Sequence, residues 1–440
     1  MSSAAVVDNL AVAAFAAALW LLYKRFYLDA KTTVQDEKAP VPAAPAAYRA
    51  PPVQPLYGYD LQTLKATKPL PFRPFRWGPT YPQHMAIRNI TDFSNWLQLD
   101  NCYSSIISVR QRRTYDPSYK STATQPGYHA HALECLCEIA SFLSVRFPEL
   151  FKVTRTTYVP GKPETYGDSI VGEEGGAVVA VENCVTGEKF DFAELEAKEG
   201  KEWNPMKVAG LLLQDDIALM VEDEQGQYRF QAGSICTAGF WRLQDKIGLT
   251  LDDIHFEGSV PNYKEKYQKA MNGFFSKLAL EKLVERNNYF FQVDGGLDWS
   301  EKTNGTEQIF DQYNKGPKEH LVPQTDDVKR PMEATDIREV RFRTERQSLR
   351  RLPKTRAIMF TVRTYLIPVV DLADEPGVPG RMASGIRSWP QGDRQVNWYK
   401  GGELFNPVLL PYLDMKHDEQ IKNGVVKLNE KGTTEEQYPY

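Results

Sequence analysis

The chain has 440 residues, of which 42% are hydrophobic and 25% charged, a composition typical of a globular protein. Its formal net charge of −4 argues against bulk binding of nucleic acid, which usually needs a basic surface. The five cysteines are an odd number, and we expect all of them to be reduced structural thiols in a reducing compartment.

The N-terminal residues predict a membrane anchor. Residues 10–23 form a continuous apolar stretch, and apolar neighbours extend it to 6–28, close to the ~20 residues that span a bilayer. Lys24, Arg25 and Lys31 follow the stretch, whereas a secretory signal peptide carries its positive charges before it. This asymmetry predicts a single-pass protein of an endomembrane such as the ER, with its bulk facing the cytosol. A cleaved targeting segment is the alternative.

Proline and alanine dominate the segment that follows. Residues 29–82 include an alanine–proline stretch at 39–52, which is typical of a semi-extended tether without a core of its own. Regular hydrophobic periodicity begins only after it. The sequence therefore predicts four regions, namely an anchor (1–28), a tether (29–82), a folded domain (83–414) and a loose polar tail (415–440).

The folded region mixes helical and strand patterns. Helical spacing of apolar residues predicts helices over 130–147, 204–213 and 263–286. Short apolar or alternating runs predict strands over 177–181, 217–221, 228–235 and 358–366. Because the elements do not follow a regular β-α-β order, an α+β fold is favoured over a doubly wound sheet.

Three histidines are candidate metal ligands, namely the neighbours His129 and His131, and His255. His129 and His131 lie close to Glu134, but residues two apart do not share a helix face, so polar residues at a helix start are the favoured interpretation. His255 lies between apolar neighbours just before the predicted helix 263–286. A neutral imidazole in such a place can bind a transition metal or haem iron, although a core histidine bonded to a backbone carbonyl is the common alternative.

A basic segment precedes and enters the predicted strand 358–366. Its cations are Arg346, Arg350, Arg351, Lys354, Arg356 and Arg363. Three interpretations stay open: a solvated strand edge, a nucleic-acid patch, which the acidic total charge disfavours, and a site for an anionic ligand. Arginines suit the last because they bind carboxylates such as haem propionates in a bidentate way. No glycine-rich phosphate cradle occurs, so redox chemistry would need electrons from outside the chain.

Several motifs occur in a fixed order along the chain. They are Trp96-Leu97-Gln98-Leu99-Asp100, Gln214-Asp215-Asp216-Ile217, Trp241 with Lys246, His255 with Val260-Pro261, Arg286-Asn287-Asn288-Tyr289, and Glu345-Arg346-Gln347-Ser348-Leu349-Arg350-Arg351-Leu352-Pro353. Together these motifs resemble the haem-dependent oxidative N-demethylase family, also called the HRQ family in fungi. The last motif is the most specific.

The resemblance implies a PAS-like antiparallel β-sheet core, enlarged by helices and holding haem b. It implies an oxidoreductase that oxidises a small methylated amine with dioxygen, using electrons from a separate flavin and iron–sulfur reductase. By match of motif, His255 would ligate the iron, and Gln347 and Arg346 would act on substrate or oxygen. The other residues implied to hold the haem are Arg346 again, Arg350, Arg351, Trp241 and Lys246.

Two departures from the family pattern favour an alternative function. The family tends to carry Pro-Ser before the tryptophan, where this chain has the segment 236–240, and the segment between His255 and Val260 is longer here. The alternative is a PAS-like sensor or carrier of haem or another small ligand, tethered to a membrane and without turnover. A structural membrane-associated adaptor is the third hypothesis.

Overall fold

The computed structural model describes residues 48–81, 85–157, 176–200, 203–310 and 333–434. The predicted anchor over residues 6–28 lies outside these ranges, as does the first part of the tether. Within them, no helix is both long enough and apolar enough to cross a membrane.

Antiparallel strands form the framework of the described residues. In chain order the strands are β1 (Arg88–Asn89), β2 (Thr122–Thr124), β3 (Phe151–Arg155), β4 (Val178–Asn183), β5 (Glu188–Asp191), β6 (Asp216–Glu222), β7 (Tyr228–Ser234), β8 (Leu283–Gln292), β9 (Arg341–Arg351) and β10 (Ile358–Pro368). Seven of them form one sheet in the order β1-β8-β9-β10-β6-β7-β2, and β3-β4-β5 form a second, smaller sheet. The predicted α+β class with a large antiparallel sheet is therefore confirmed.

Helices cover both faces of the large sheet. In chain order they are α1 (Leu61–Ala66), α2 (Tyr103–Tyr115), α3 (His129–Arg146), α4 (Phe192–Glu199), α5 (Pro205–Leu212), α6 (Leu251–Glu257), α7 (Gln268–Lys277), α8 (Glu301–Asn304), α9 (Val369–Leu372), α10 (Val378–Arg387), α11 (Val396–Tyr399) and α12 (Asn406–Lys422). A π-helical turn over Tyr263–Tyr267 leads into α7. The helices predicted over 130–147 and 204–213 are confirmed as α3 and α5.

The first part of the basic segment, with Arg346, Arg350 and Arg351, lies on the central strand β9, which the sequence did not predict. β9 pairs with β8 on one side and with β10 on the other, each pairing running for ten residues or more. A tight turn between Arg351 and Ile358 joins β9 to β10, and Leu352 donates its backbone N–H to the Ala357 carbonyl at 2.7 Å. Successive side chains of a strand point to opposite faces of the sheet, so the cations of the segment are divided between two environments.

One face of the sheet, here called the closed face, carries Arg346, Ser348, Arg350, Met359, Thr361 and Arg363. Helix α3 and the aromatic side chains of Phe93, Trp96 and Phe142 pack in the apolar cluster on this side. The other face, here called the open face, carries Arg286, Asn288, Glu345, Gln347, Phe360 and Val362. Helices α6 and α7 pack in the apolar cluster on that side, together with Leu349 and Ile358.

The helix predicted over 263–286 is wrong in its second half. The helix ends at Lys277, and Leu283–Gln292 is strand β8. Pairing of β8 with β9 over ten residues decides this, because tertiary hydrogen bonding overrides a weak local preference for helix.

Two predicted loose segments contribute to the core. Val53, Tyr59, Leu64 and Phe75 of the predicted tether are buried. In the predicted tail, α12 continues to Lys422, and the Gln420 side chain is buried, accepting from the Gly377 backbone N–H at 2.9 Å. Composition misled the prediction because a few apolar anchors suffice to fix a polar or proline-rich segment.

Candidate functional site

The arginines of the closed face are paired inside the protein. Arg346 donates to the Glu285 carboxylate at 2.8 Å and to the carbonyls of Trp96 and Asn95 at 2.9 and 2.8 Å. The Arg350 guanidinium lies 2.7 Å from the Glu138 carboxylate and over the Trp96 ring at 4.6 Å. These contacts bind the sheet to the elements above it. The structure does not bring Arg346 and Arg350 to the face on which His255 packs, because they alternate with Gln347 along β9.

Arg351 lies on the other face but is also committed to the fold. It donates to the carbonyls of Phe275 and Leu278 at 2.6 and 2.7 Å, and to that of Arg356 at 2.9 Å. It also donates to the Tyr228 hydroxyl at 3.0 Å. This side chain therefore ties the end of α7 to the sheet.

The middle of the open face keeps solvent-accessible surface, although its strands are central in the sheet. Glu345, Phe360 and Val362 are only half-buried there, and so are Arg286 and Asn288 on β8. On the closed face the side chains at the same level, such as Thr361 and Arg363, are buried. The helices on the open side therefore leave part of these inner strands uncovered.

His255 stands on α6, on the same side of the sheet. Its Nδ1 lies 2.6 Å from the Leu251 carbonyl one turn earlier, which fixes Nδ1 as the protonated nitrogen. Its ring stacks on Tyr263 with centroids 4.8 Å apart and an interplanar angle of 8°. Among the described residues no other hydrogen bond of this ring occurs, so Nε2 is available to a metal or ligand.

Burial lowers the pKa of His255 to about 4, and the nearby positive charges of Lys246 and Arg286 lower it further, against the opposing charge of Asp252. The imidazole is therefore neutral at physiological pH, which is the form that ligates metals. Asp252 also braces the helix, because it accepts from Tyr263, Gln268 and Asn272 at 2.7, 2.7 and 2.9 Å.

Two cations, Lys246 and Arg286, and several aromatic and aliphatic side chains lie on the same side of the sheet as His255. The Lys246 ammonium lies 4.1 Å from the centre of the Trp241 ring. Trp241, Ile247, Ile254 and Phe360 are partly buried against the apolar cluster of this side. The structure thus places His255, Trp241, Lys246 and Gln347 on one side of the sheet, the side on which Arg351 also lies.

Gln347 takes part in a hydrogen-bonded chain across the open face. Arg286 donates from Nη1 to the Gln347 Oε1 at 3.2 Å and from Nε to the Met85 carbonyl at 3.0 Å. Gln347 in turn donates from Nε2 to the Glu345 Oε2 at 2.7 Å. Both ends of the Gln347 amide are therefore already engaged.

Three tyrosines, Tyr81, Tyr267 and Tyr399, interact electrostatically with Arg286, and Tyr399 interacts also with Glu345. Burial raises the pKa of Tyr81 to about 12 and also raises the pKa values of Tyr267 and Tyr399, with Arg286 opposing each shift. Each of the three phenols is half-buried, and Glu345 raises the pKa of Tyr399 further. These side chains are thus neutral phenols beside the open face.

Sequence reasoning did not assign a role to Arg286, Glu345 or these tyrosines. The sequence predicts a helix that ends at Arg286. It therefore does not predict that Arg286 lies opposite Gln347 on paired strands. The run Tyr289-Phe290-Phe291 after it is rich in strand-forming residues and is the signal that could have corrected the assignment.

The open face fits a haem group by its chemistry. A neutral imidazole with a fixed tautomer can ligate iron, a partly buried aromatic and aliphatic wall can contact a flat macrocycle, and Lys246 and Arg286 can pair with propionates. Arg286 lies on this face, whereas Arg346 and Arg350 lie on the closed face.

The histidines at 129 and 131 lie in different surroundings. His131 is buried, and burial lowers its pKa to about 4, whereas His129 is exposed and its ring lies 5.7 Å from the Trp203 ring. Nowhere in the described ranges do three or more histidine, cysteine or acidic side chains cluster as metal ligands. The five cysteines are free thiols, as expected.

A separate groove of about 340 Å³ lies between α10 and α12. Its lining includes Trp77, Ser384 and His417, together with an ion pair in which Arg387 donates to Asp414 at 2.6 and 2.9 Å. None of the residues predicted from sequence for the haem site lines it.

Comparison with protein-family models gives one match that spans most of the described residues. Residues 86–410 match the family described as haem-dependent oxidative N-demethylase, alpha subunit-like. The match covers all seven strands of the large sheet, α6 with His255, and α11 with Tyr399, while Tyr81 precedes it.

Proposed function

Since the chain belongs to the haem-dependent oxidative N-demethylase, alpha subunit-like, family, as its motifs predicted, we propose that it binds haem b and uses dioxygen to oxidise a small methylated amine. The observation that carries this proposal is His255. Its imidazole is neutral, its Nδ1 is held by the Leu251 carbonyl, and its Nε2 would be left for iron on the partly covered side of the sheet.

Bound haem would supply oxygen activation, and the protein would supply the pocket around it. His255 would ligate the iron. Lys246 and Arg286 would pair with the propionates, and Trp241 and Phe360 would contact the macrocycle. Burial beneath α6 and α7 would keep bulk water from the reacting amine.

The sheet order supports a PAS-like core. The hairpin β6–β7 lies beside the last strand, β10, while α6 and α7 enter the chain between β7 and β8. The helices inserted there are those that pack over the open face, so the same insertion that completes the fold carries His255.

Electrons would come from a separate reductase that carries flavin and an iron–sulfur cluster. The absence of a phosphate-binding motif from the sequence supports this, because a reductase that used a nicotinamide cofactor would need one. We also propose attachment to an endomembrane through residues 6–28, with the folded part in the cytosol. Cell fractionation of the full chain beside a chain that starts at residue 48 tests the attachment.

The spectrum of the purified chain tests the haem proposal. Reconstitution with haem should give one haem per chain and a strong near-ultraviolet band. His255→Ala should lose stoichiometric haem, whereas the control His129→Ala should retain it. A chain that binds no haem, or a His255→Ala spectrum like the wild type, would contradict the proposal.

Turnover separates an enzyme from a sensor. Haem-loaded chain supplied with dimethylamine, dioxygen and an electron-donating reductase should consume oxygen and release formaldehyde from the oxidised methyl group. Reversible oxygen binding without formaldehyde, for a panel of methylated amines, would favour the sensor or carrier instead.

A further inference from the structure

A carboxylate stands in the middle of the open face and has no role in holding the haem. Glu345 lies on the central strand β9, yet its side chain is only half-buried on the open face of the sheet. We propose that Glu345 binds the substrate as an alkylammonium ion, with Tyr81, Tyr267 and Tyr399 as the aromatic wall around its methyl groups. This inference rests on the proposed function and names the part of the site that recognises the nitrogen.

The hydrogen bonds of Glu345 leave one of its oxygens for a ligand. Oε2 accepts from Gln347 Nε2 at 2.7 Å, whereas Oε1 accepts no hydrogen bond from any residue that the structure describes. A half-buried carboxylate with one oxygen unused can accept a hydrogen bond from an N–H group of a ligand. A bond between that oxygen and an ammonium is charge-assisted, which makes it about twice as strong as a neutral one.

Gln347 fixes the direction of this carboxylate. Because Arg286 Nη1 donates to the Gln347 Oε1 at 3.2 Å, the amide must present Nε2 to Glu345. Gln347, which the sequence placed in catalysis, is by this geometry a positioning residue. Its contribution to binding is transmitted through Glu345.

Cations behind the carboxylate keep it from being an isolated charge. Arg286 and Lys400 both interact electrostatically with Glu345. The Lys400 ammonium is itself held elsewhere, since it donates to the Tyr289 carbonyl at 2.6 Å and lies 4.1 Å from the centre of the Tyr289 ring. The unused Glu345 oxygen is therefore not consumed by a lysine salt bridge.

The tyrosines give the wall its affinity for methylated cations. Their faces are electron-rich, and a cation over such a face is attracted by the ring quadrupole. Tyr399 packs beside Phe290 with ring centroids 5.9 Å apart, which places an aromatic pair next to the carboxylate strand. The rings of neutral phenols can also pack against the methyl groups of the ligand, whereas a carboxylate offers no apolar surface for them.

The preferred ligand is an ammonium that carries both methyl groups and at least one N–H. Secondary and tertiary methylammonium ions meet both demands. A quaternary ammonium keeps the attraction to the rings but loses the hydrogen bond to Glu345. A neutral molecule of similar shape loses both.

Ligand titration of the haem-loaded full chain tests the proposal. Dissociation constants are measured by calorimetry and by the change in the haem absorption spectrum, with dimethylammonium, tetramethylammonium and 2-propanol as probes. Wild type should bind dimethylammonium most tightly and 2-propanol least. Glu345→Gln should weaken dimethylammonium binding roughly 10- to 100-fold, because it removes a hydrogen bond to a charged group, while the control Glu403→Gln should leave it unchanged.

Two further variants separate recognition from misfolding. Tyr399→Leu should weaken dimethylammonium and tetramethylammonium alike, since both depend on the rings. Gln347→Leu should weaken dimethylammonium but spare tetramethylammonium, since only the N–H donor depends on the orientation of Glu345. A variant that merely misfolds would lose both probes and its haem spectrum.

The outcomes also distinguish this inference from the proposed function. If the chain holds haem through His255 but Glu345→Gln binds dimethylammonium as tightly as wild type, Glu345 is not the anchor and the haem assignment stands. Failure of wild type to bind any ammonium probe overturns the inference in the same way. If the chain holds no haem, the proposed function falls, while calorimetry on the same chain still decides whether Glu345 binds ammonium ions.

Discussion

Arg350 and Gln347 are three residues apart on one strand, yet they meet opposite environments. On the closed face, arginine charge is matched by buried carboxylates, as in Arg350 with Glu138 and Arg363 with Asp100 at 2.7 and 2.8 Å. On the open face, the hydrogen bonds that run from Arg286 through Gln347 end at Glu345, one oxygen of which accepts no hydrogen bond from the described residues. A charge balanced by a buried opposite charge stabilises the fold, whereas a carboxylate oxygen left unused on a partly covered face can bind a ligand.

The largest expected effect lies on the closed face. Arg350→Met should lower the free energy of unfolding by about 3–5 kcal/mol, because it leaves the Glu138 carboxylate buried without its arginine. Urea unfolding followed by circular dichroism measures it. Arg338→Met, which breaks the exposed pair with Asp336, is the matched control and should leave the free energy of unfolding almost unchanged, because solvent screens this pair. Equal losses in the two variants would mean that the closed face does not depend on its ion pairs.

Helix α3, which packs in the cluster of the closed face, should make the stability of the protein depend on pH. The folded pKa of His131 is about 4, below its ordinary value of 6.5, so the unfolded chain takes up a proton between these values and the folded protein does not. Unfolding free energy therefore falls as pH falls through this window, by up to about 3 kcal/mol from this residue. His131→Phe should gain relative to wild type between pH 6.5 and pH 4. A difference that is the same at pH 4 and pH 8 would exclude this source.

The smallest expected effect on the free energy of unfolding is that of a substitution on the open face, and the same substitution should weaken haem binding. Arg286→Met removes two hydrogen bonds from a half-buried side chain and should cost about 1–2 kcal/mol of unfolding free energy. It should also speed the transfer of haem to an acceptor protein. If this variant is as unstable as Arg350→Met and releases haem at the rate of wild type, the two faces are alike and the open face is ordinary core.

Local pattern and motif selected residues that the fold brings to one side of the sheet. His255, Trp241, Lys246 and Gln347 were selected from sequence, and they do lie on one side of the sheet. The arginines were not separated correctly, because a motif read as a line of letters does not show which face each letter occupies. Arg286 was missed for a related reason. The sequence pattern predicts a helix at its position, and a helix gives no reason to pair it with Gln347 on β9.

The sequence by itself determined the family and the mixed class of the fold, since these depend on residue type and local spacing. Only the tertiary structure decided that the first part of the basic segment is a central strand, that Arg346 and Arg350 pair with carboxylates, and that Glu345 lies on the open face. The physical reason is that strand pairing joins residues far apart in the chain and assigns alternate side chains to opposite faces. Partners such as Glu138, which lies more than two hundred residues before Arg350, have no local signature.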